Sequence, residues 1–154
     1  MSIKNTILVA SLMAFAGSAS AAELLVTDSG LSKARNAGST LALDIVSEGD
    51  VAGFDLIIPV PKGVKVNTSK CLASLPVGFQ GVCKHNEGEV AVIAVSMNRQ
   101  ALPAGIHSIG MLSISGGKVA RTATMKFNAV GVDAKSLNST VQTNFTPASE
   151  QIRR

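Results

Sequence analysis

The chain has no tryptophan and no tyrosine, only two histidines, and charged residues make up just 16% of it. Each scarcity excludes something. Sandwich modules that hold glycans lay exposed Trp or Tyr rings flat on the sugar, and phenylalanine is the only aromatic here. A general base or an imidazole metal site would have to use His85 or His107, and neither has a partner at motif spacing. No Gly-x-Ser-x-Gly elbow occurs. So low a charge in an apolar chain also rules out a disordered tail. The cations are dispersed, apart from the terminal Arg153-Arg154, and no aromatics interleave with them, so a nucleic-acid binder is not expected. With 154 residues there is room for one domain, not for a cofactor domain beside a substrate domain.

What is present begins with a leader. Lys4 precedes an apolar run from Ile7 to Ala16, and Gly17-Ser18-Ala19-Ser20-Ala21-Ala22 follows. This is the pattern of a secretory signal peptide, with cleavage expected after Ala21 or Ala22. As a helix the apolar run would rise only about 15 Å, too short for a membrane anchor. No cysteine follows it to accept a lipid, and no later stretch is long enough to span a bilayer. The expected organisation is therefore a leader over 1–22 and one exported domain over 23–154, soluble and periplasmic or extracellular.

Two cysteines, Cys71 and Cys83, stand with eleven residues between them and no histidine spaced to complete a zinc set. In an exported chain that spacing predicts a structural disulfide rather than a redox pair, which is more often Cys-x-x-Cys.

Period-two patterning dominates the region after the leader. Leu41, Leu43 and Ile45 share one face of a strand over 40–46; Phe54, Leu56, Ile58 and Val60 share one face over 51–60 until Pro59 and Pro61 end it. Phe79 to His85 and Glu89 to Ser96 flank Gly88 as a hairpin. The second arm is apolar on both faces, which predicts a strand in the middle of a sandwich. Leu102-Pro103-Ala104-Gly105 turns into a strand over 106–115, Ser115 to Lys118 turns again, and Ala123, Met125, Phe127 and Ala129 alternate with polar residues. A terminal strand is expected around 141–145. Many short strands punctuated by Gly and Pro predict an all-β antiparallel sandwich or jelly roll.

The run Val51-Ala52-Gly53-Phe54-Asp55-Leu56-Ile57-Ile58-Pro59, followed by Gly63-Val64-Lys65-Val66, resembles the second and third strands of cohesin-like domains. Gly88-Glu89-Val90-Ala91-Val92 and Leu102-Pro103-Ala104-Gly105 are similar to that family's middle strands and its leucine-x-x-glycine turn. The resemblance covers about residues 39–130. It implies a jelly roll of about nine strands, related in shape to carbohydrate-binding modules, that holds another protein or a glycan outside the cell. A Cys71–Cys83 bridge is not part of the family pattern, and no partner-contacting residue carries over.

The remaining chemistry has bland readings. Ser96, Ser108 and Ser113 lie on strands, and with His107 they make no recognisable nucleophile pair. Glu48-Gly49-Asp50 is the nearest approach to a carboxylate cluster, and it reads as a turn rather than a calcium loop. Phe54 and Phe127 belong to the core; Phe79, beside Pro76-Val77-Gly78, is the one aromatic with a case for exposure, although core filling is the favoured reading for it too. Asn67, Asn138 and Asn144 open glycosylation-type triplets that read as chance matches in polar loops. No catalytic, metal or cofactor site is expected. The leading expectation is a non-catalytic exported module acting through contact with another exported protein, ahead of a polysaccharide-binding module and of a pilus-type subunit. The ending Glu150 to Arg154 lacks the aromatic such subunits usually carry.

Overall fold

The computed structural model describes residues 21–28, 38–117 and 124–145. Those residues form nine strands: β1 (Ala21–Asp28), β2 (Ser39–Ser47), β3 (Gly53–Pro59), β4 (Lys65–Asn67), β5 (Phe79–Asn86), β6 (Glu89–Ser96), β7 (Gly105–Ser115), β8 (Lys126–Val130) and β9 (Asn138–Phe145). They make two sheets, one in the order β4-β7-β2-β1-β9 and the other β5-β6-β3-β8. The jelly-roll expectation holds. One pairing departs from it, because β9 lies parallel to β1 while every other strand pair is antiparallel. Of the leader expected over 1–22, residues 1–20 lie outside the described residues and Ala21 and Ala22 open β1; 29–37, 118–123 and the chain after 145 also lie outside them.

Alternation builds the core. Leu24, Val26, Leu41, Leu43 and Ile45 point inward from the larger sheet, and Phe54, Leu56, Ile58, Val90 and Val92 meet them from the smaller one. All are sealed from solvent, and each large aliphatic side chain contributes about 1.5–3 kcal/mol by leaving water. Phe54 and Phe127 pack against each other with ring centroids 6.4 Å apart, as the alternation predicts for core aromatics. Phe79 is only partly exposed and packs on the same core. The strand expected over 51–60 is shorter than its apolar pattern: β3 stops at Pro59, and Val60 instead donates its N–H to the Gly88 carbonyl.

A clasp joins the sheets along one side. Residues 68–75 leave β4 and pack on a bulge in β7, where the register with β2 slips at Leu43/Asp44 and Ile109 becomes the extra residue. There Ser74 donates to the Ile109 carbonyl at 2.9 Å and Met111 donates to the Lys70 carbonyl at 2.9 Å. The approach is so close that a side chain on Gly110 would run into the carbonyls of Lys70 and Cys71, so only glycine fits. From this loop the buried Cys71 forms a disulfide with Cys83 on β5. The bridge therefore ties a loop held by one sheet to the edge strand of the other.

Candidate functional site

The two outer surfaces of the sandwich differ. On the five-stranded sheet the outward positions include Thr40, Asp44, Ser108 and Ser113, with Ile106 and Met111 as separated apolar side chains. The four-stranded sheet instead gathers its apolar groups. Its register sets out three rows across β5, β6, β3 and β8. One row reads Lys84, Ala91, Ile57, Lys126; the next Val82, Ile93, Asp55, Asn128; the third Gln80, Val95, Gly53, Val130. Ile93 is 58% exposed, Val82 55% and Val95 46%.

The patch continues past the end of β6. Met97 is the next outward residue, 61% exposed, and its N–H donates to the Gly78 carbonyl at 2.8 Å. That bond brings in the Pro76-Val77-Gly78 turn, where Val77 is fully exposed. The neighbouring turn is pre-ordered: Ser96 Oγ donates to Asn98 Oδ1 at 3.0 Å and accepts from the Gln100 N–H at 3.0 Å, with Arg99 held at a φ of 57°. At the other end, Lys84 and Lys126 bracket Ala91 and Ile57 across three strand spacings, about 14 Å. Asp55 lies inside the frame and accepts from Asn128 Nδ2 at 3.0 Å. The result is a flat apolar field on rigid strands, with cations at its margin, a combination suited to docking a macromolecule and not to enclosing a small substrate.

This corrects one expectation. β6 is central in its sheet, as predicted, but it is not buried on both faces: Val90, Val92 and Ala94 fill the core while Ile93 and Val95 face outward. Among the described residues no layer covers its second apolar face.

The other candidates do not converge. His85 is exposed on β5, whereas His107 lies on β7 in the other sheet with Nε2 2.7 Å from the Pro103 carbonyl. The Ser96 hydroxyl is engaged in its own turn. Gly49 makes the β2–β3 turn with a φ of 102°, its N–H donating to Ser47 Oγ at 3.0 Å, and Glu48 accepts from the Ala21 N–H at 3.4 Å. The Asp50 carboxylate oxygens are buried with no hydrogen-bond partner among the described residues. Among those residues no three His, Cys, Asp or Glu side chains gather as metal ligands, and no helix is long and apolar enough to cross a membrane. Asn138-Ser139-Thr140 lies on β9 and not in the loop expected for it, whereas Asn67 ends β4 with Thr68 and Ser69 in the turn that follows, and Asn144 stands near the end of β9.

No protein-family model matches the chain, and no curated protein matches it in sequence. Solved structures do. A non-cellulosomal cohesin from the hyperthermophilic archaeon Archaeoglobus fulgidus superposes with a TM-score of 0.56 at 12% identity, over 86% of this chain and 96% of that one. The type II cohesin A11 of Bacteroides cellulosolvens gives 0.57 at 12% identity, over 80% and 99%. A type I cohesin of Clostridium thermocellum, solved in complex with a dockerin, gives 0.52 at 11% identity, over 82% and 96%. The fold is cohesin-like. At these identities the likeness concerns architecture, and it supports the resemblance drawn from residues 39–130.

Proposed function

We propose that this chain is an exported, non-catalytic module that binds another protein through the outer face of the β5-β6-β3-β8 sheet. The observation that carries the reading is the contiguous exposure of Val82, Ile93, Val95 and Met97, with Val77 beside them. Exposing such a field to water raises the free energy, and covering it with a complementary apolar surface lowers it. A glycan partner has less support, because the face offers no aromatic platform: Phe54 and Phe127 are buried and Phe79 packs on the core. The cohesin of Clostridium thermocellum noted above was solved bound to a protein partner, which agrees with a protein-binding role for the fold without naming this chain's partner. Export rests on the leader over 1–22, and the Cys71–Cys83 bridge suits an oxidising compartment.

A photo-crosslinking residue tests this directly. Placed at Ile93 in the exporting cell, it is expected to trap one exported protein; placed at Met111 on the opposite sheet, it is expected to trap none. Equal trapping at both positions, or at Met111 alone, would contradict the proposal.

A further inference from the structure

β5 is an edge strand, and its free side is unusually open. It keeps continuous register with β6 through eight pairs, with no bulge and no proline to guard the edge. The two-residue turn Glu87-Gly88 makes Asn86 and Glu89 a hydrogen-bonded pair. By alternation Gln80, Val82 and Lys84 also bond to β6, which leaves the N–H and C=O groups of Gly81, Cys83 and His85 pointing away from the sheet. Among the described residues no other backbone hydrogen bond reaches those three. Gly81, which has no side chain, is itself exposed, so what meets solvent there is backbone.

The other edges are blunted. β4 has three residues and β8 five. β9 is stitched to β8 at its start, where the Ala129 N–H donates to Ser139 Oγ at 2.9 Å and Leu137 donates to the Ala129 carbonyl at 2.8 Å.

We propose that a second copy of this chain pairs with β5, antiparallel across a two-fold axis at Val82. Side-chain direction limits the options, because residues opposite each other must share a face. Centring the axis on Val82 sets Val82 against its own copy, Lys84 against Gln80 of the other copy, and Gly81 against Cys83. Centring it on Lys84 would oppose two ammonium groups, and centring it on Cys83 would set valine against lysine. At the Val82 axis the facing valines form a non-hydrogen-bonded pair, the geometry in which cross-strand side chains approach most closely. Gly81 and Cys83 then exchange bonds on both sides of the axis, and His85 donates to Phe79, whose own N–H is already given to Pro76. This makes about six intermolecular backbone hydrogen bonds. Val82 and Ile93 of each copy join into one apolar stripe across the axis, on a sheet of twice the width. The pairing uses the backbone edge, so it stands whether or not the open face docks another protein.

The test uses the chain expressed with its leader and purified as the cell leaves it. Sedimentation should find a dimer that dissociates on dilution, with the Gly81, Cys83 and His85 amides slow to exchange in the dimer and fast in the monomer. Val82→Lys and Val82→Glu each oppose like charges at the axis and are expected to weaken association about tenfold or more. Mixing the two variants should restore a dimer, because lysine then faces glutamate. A monomer at all concentrations, exchange of those amides that ignores dilution, or a mixture that stays monomeric would overturn the proposal, as would a strand of a different exported protein seated on β5.

Discussion

Ile58 and Ile93 are the same residue type on adjoining strands, yet one is sealed in the core and the other is 58% exposed. Ile58→Ala is expected to cost about 2–5 kcal/mol, by lost transfer energy and by the cavity it leaves. Ile93→Ala is expected to stay within about 1 kcal/mol. Urea unfolding of the two variants checks the contrast, and equal losses would mean that Ile93 is packed. The same pair marks what the sequence can convey. Alternation at Leu41, Leu43, Ile45, Phe54, Leu56 and Ile58 is legible because a half-buried strand writes its inner face as every second residue. Ile93 and Val95 are not legible in that way. An outward apolar side chain reads the same whether another layer covers it or a partner does, and only the count of layers decides. Phe79 follows the favoured reading: its neighbours Pro76, Val77 and Gly78 signal a surface turn, yet the partly exposed ring packs on the core.

At the scale of elements, hairpin chemistry made β5 and β6 readable, since Gly88 at a φ of 87° is the residue the turn demands. β1 was hidden. Its residues Ala21 and Ala22 continue the small-residue end of the leader, and Leu24-Leu25-Val26 is an unbroken apolar triplet without visible alternation. Ala22 is buried and pairs with Ser47, so the two cleavage positions differ in whether this contact survives. Amino-terminal sequencing of the purified protein is expected to begin at Ala22 or Glu23, and an intact Met1 would remove the case for export. The clasp over 68–75 also escaped sequence reading, because it depends on a bulge in a strand distant along the chain. Its disulfide was readable from compartment and spacing. Replacing both Cys71 and Cys83 by alanine is expected to lower stability by about 3 kcal/mol while the Lys70 and Ser74 backbone bonds hold the loop on β7. Calorimetry checks the loss, and titration of the unfolded, unreduced protein is expected to find no free thiol.

For the whole molecule, two sheets locked face to face and clasped by a disulfide make a rigid plate, and one side of that plate carries a contiguous apolar patch. Rigidity matters for such a surface, because groups already fixed on strands lose little entropy when a partner covers them. The central claim is that the outer β5-β6-β3-β8 face carries the binding energy. The most direct measurement compares the affinity of the partner trapped at position 93 for the natural chain, for the double variant Ile93→Asp with Val95→Asp, and for Met111→Asp as a control on the other sheet. The double variant is expected to bind on the order of a hundredfold more weakly, since charge replaces the centre of the apolar field, and the control is expected to match the natural chain. Undiminished binding by the double variant, or a loss confined to Met111→Asp, would contradict the account.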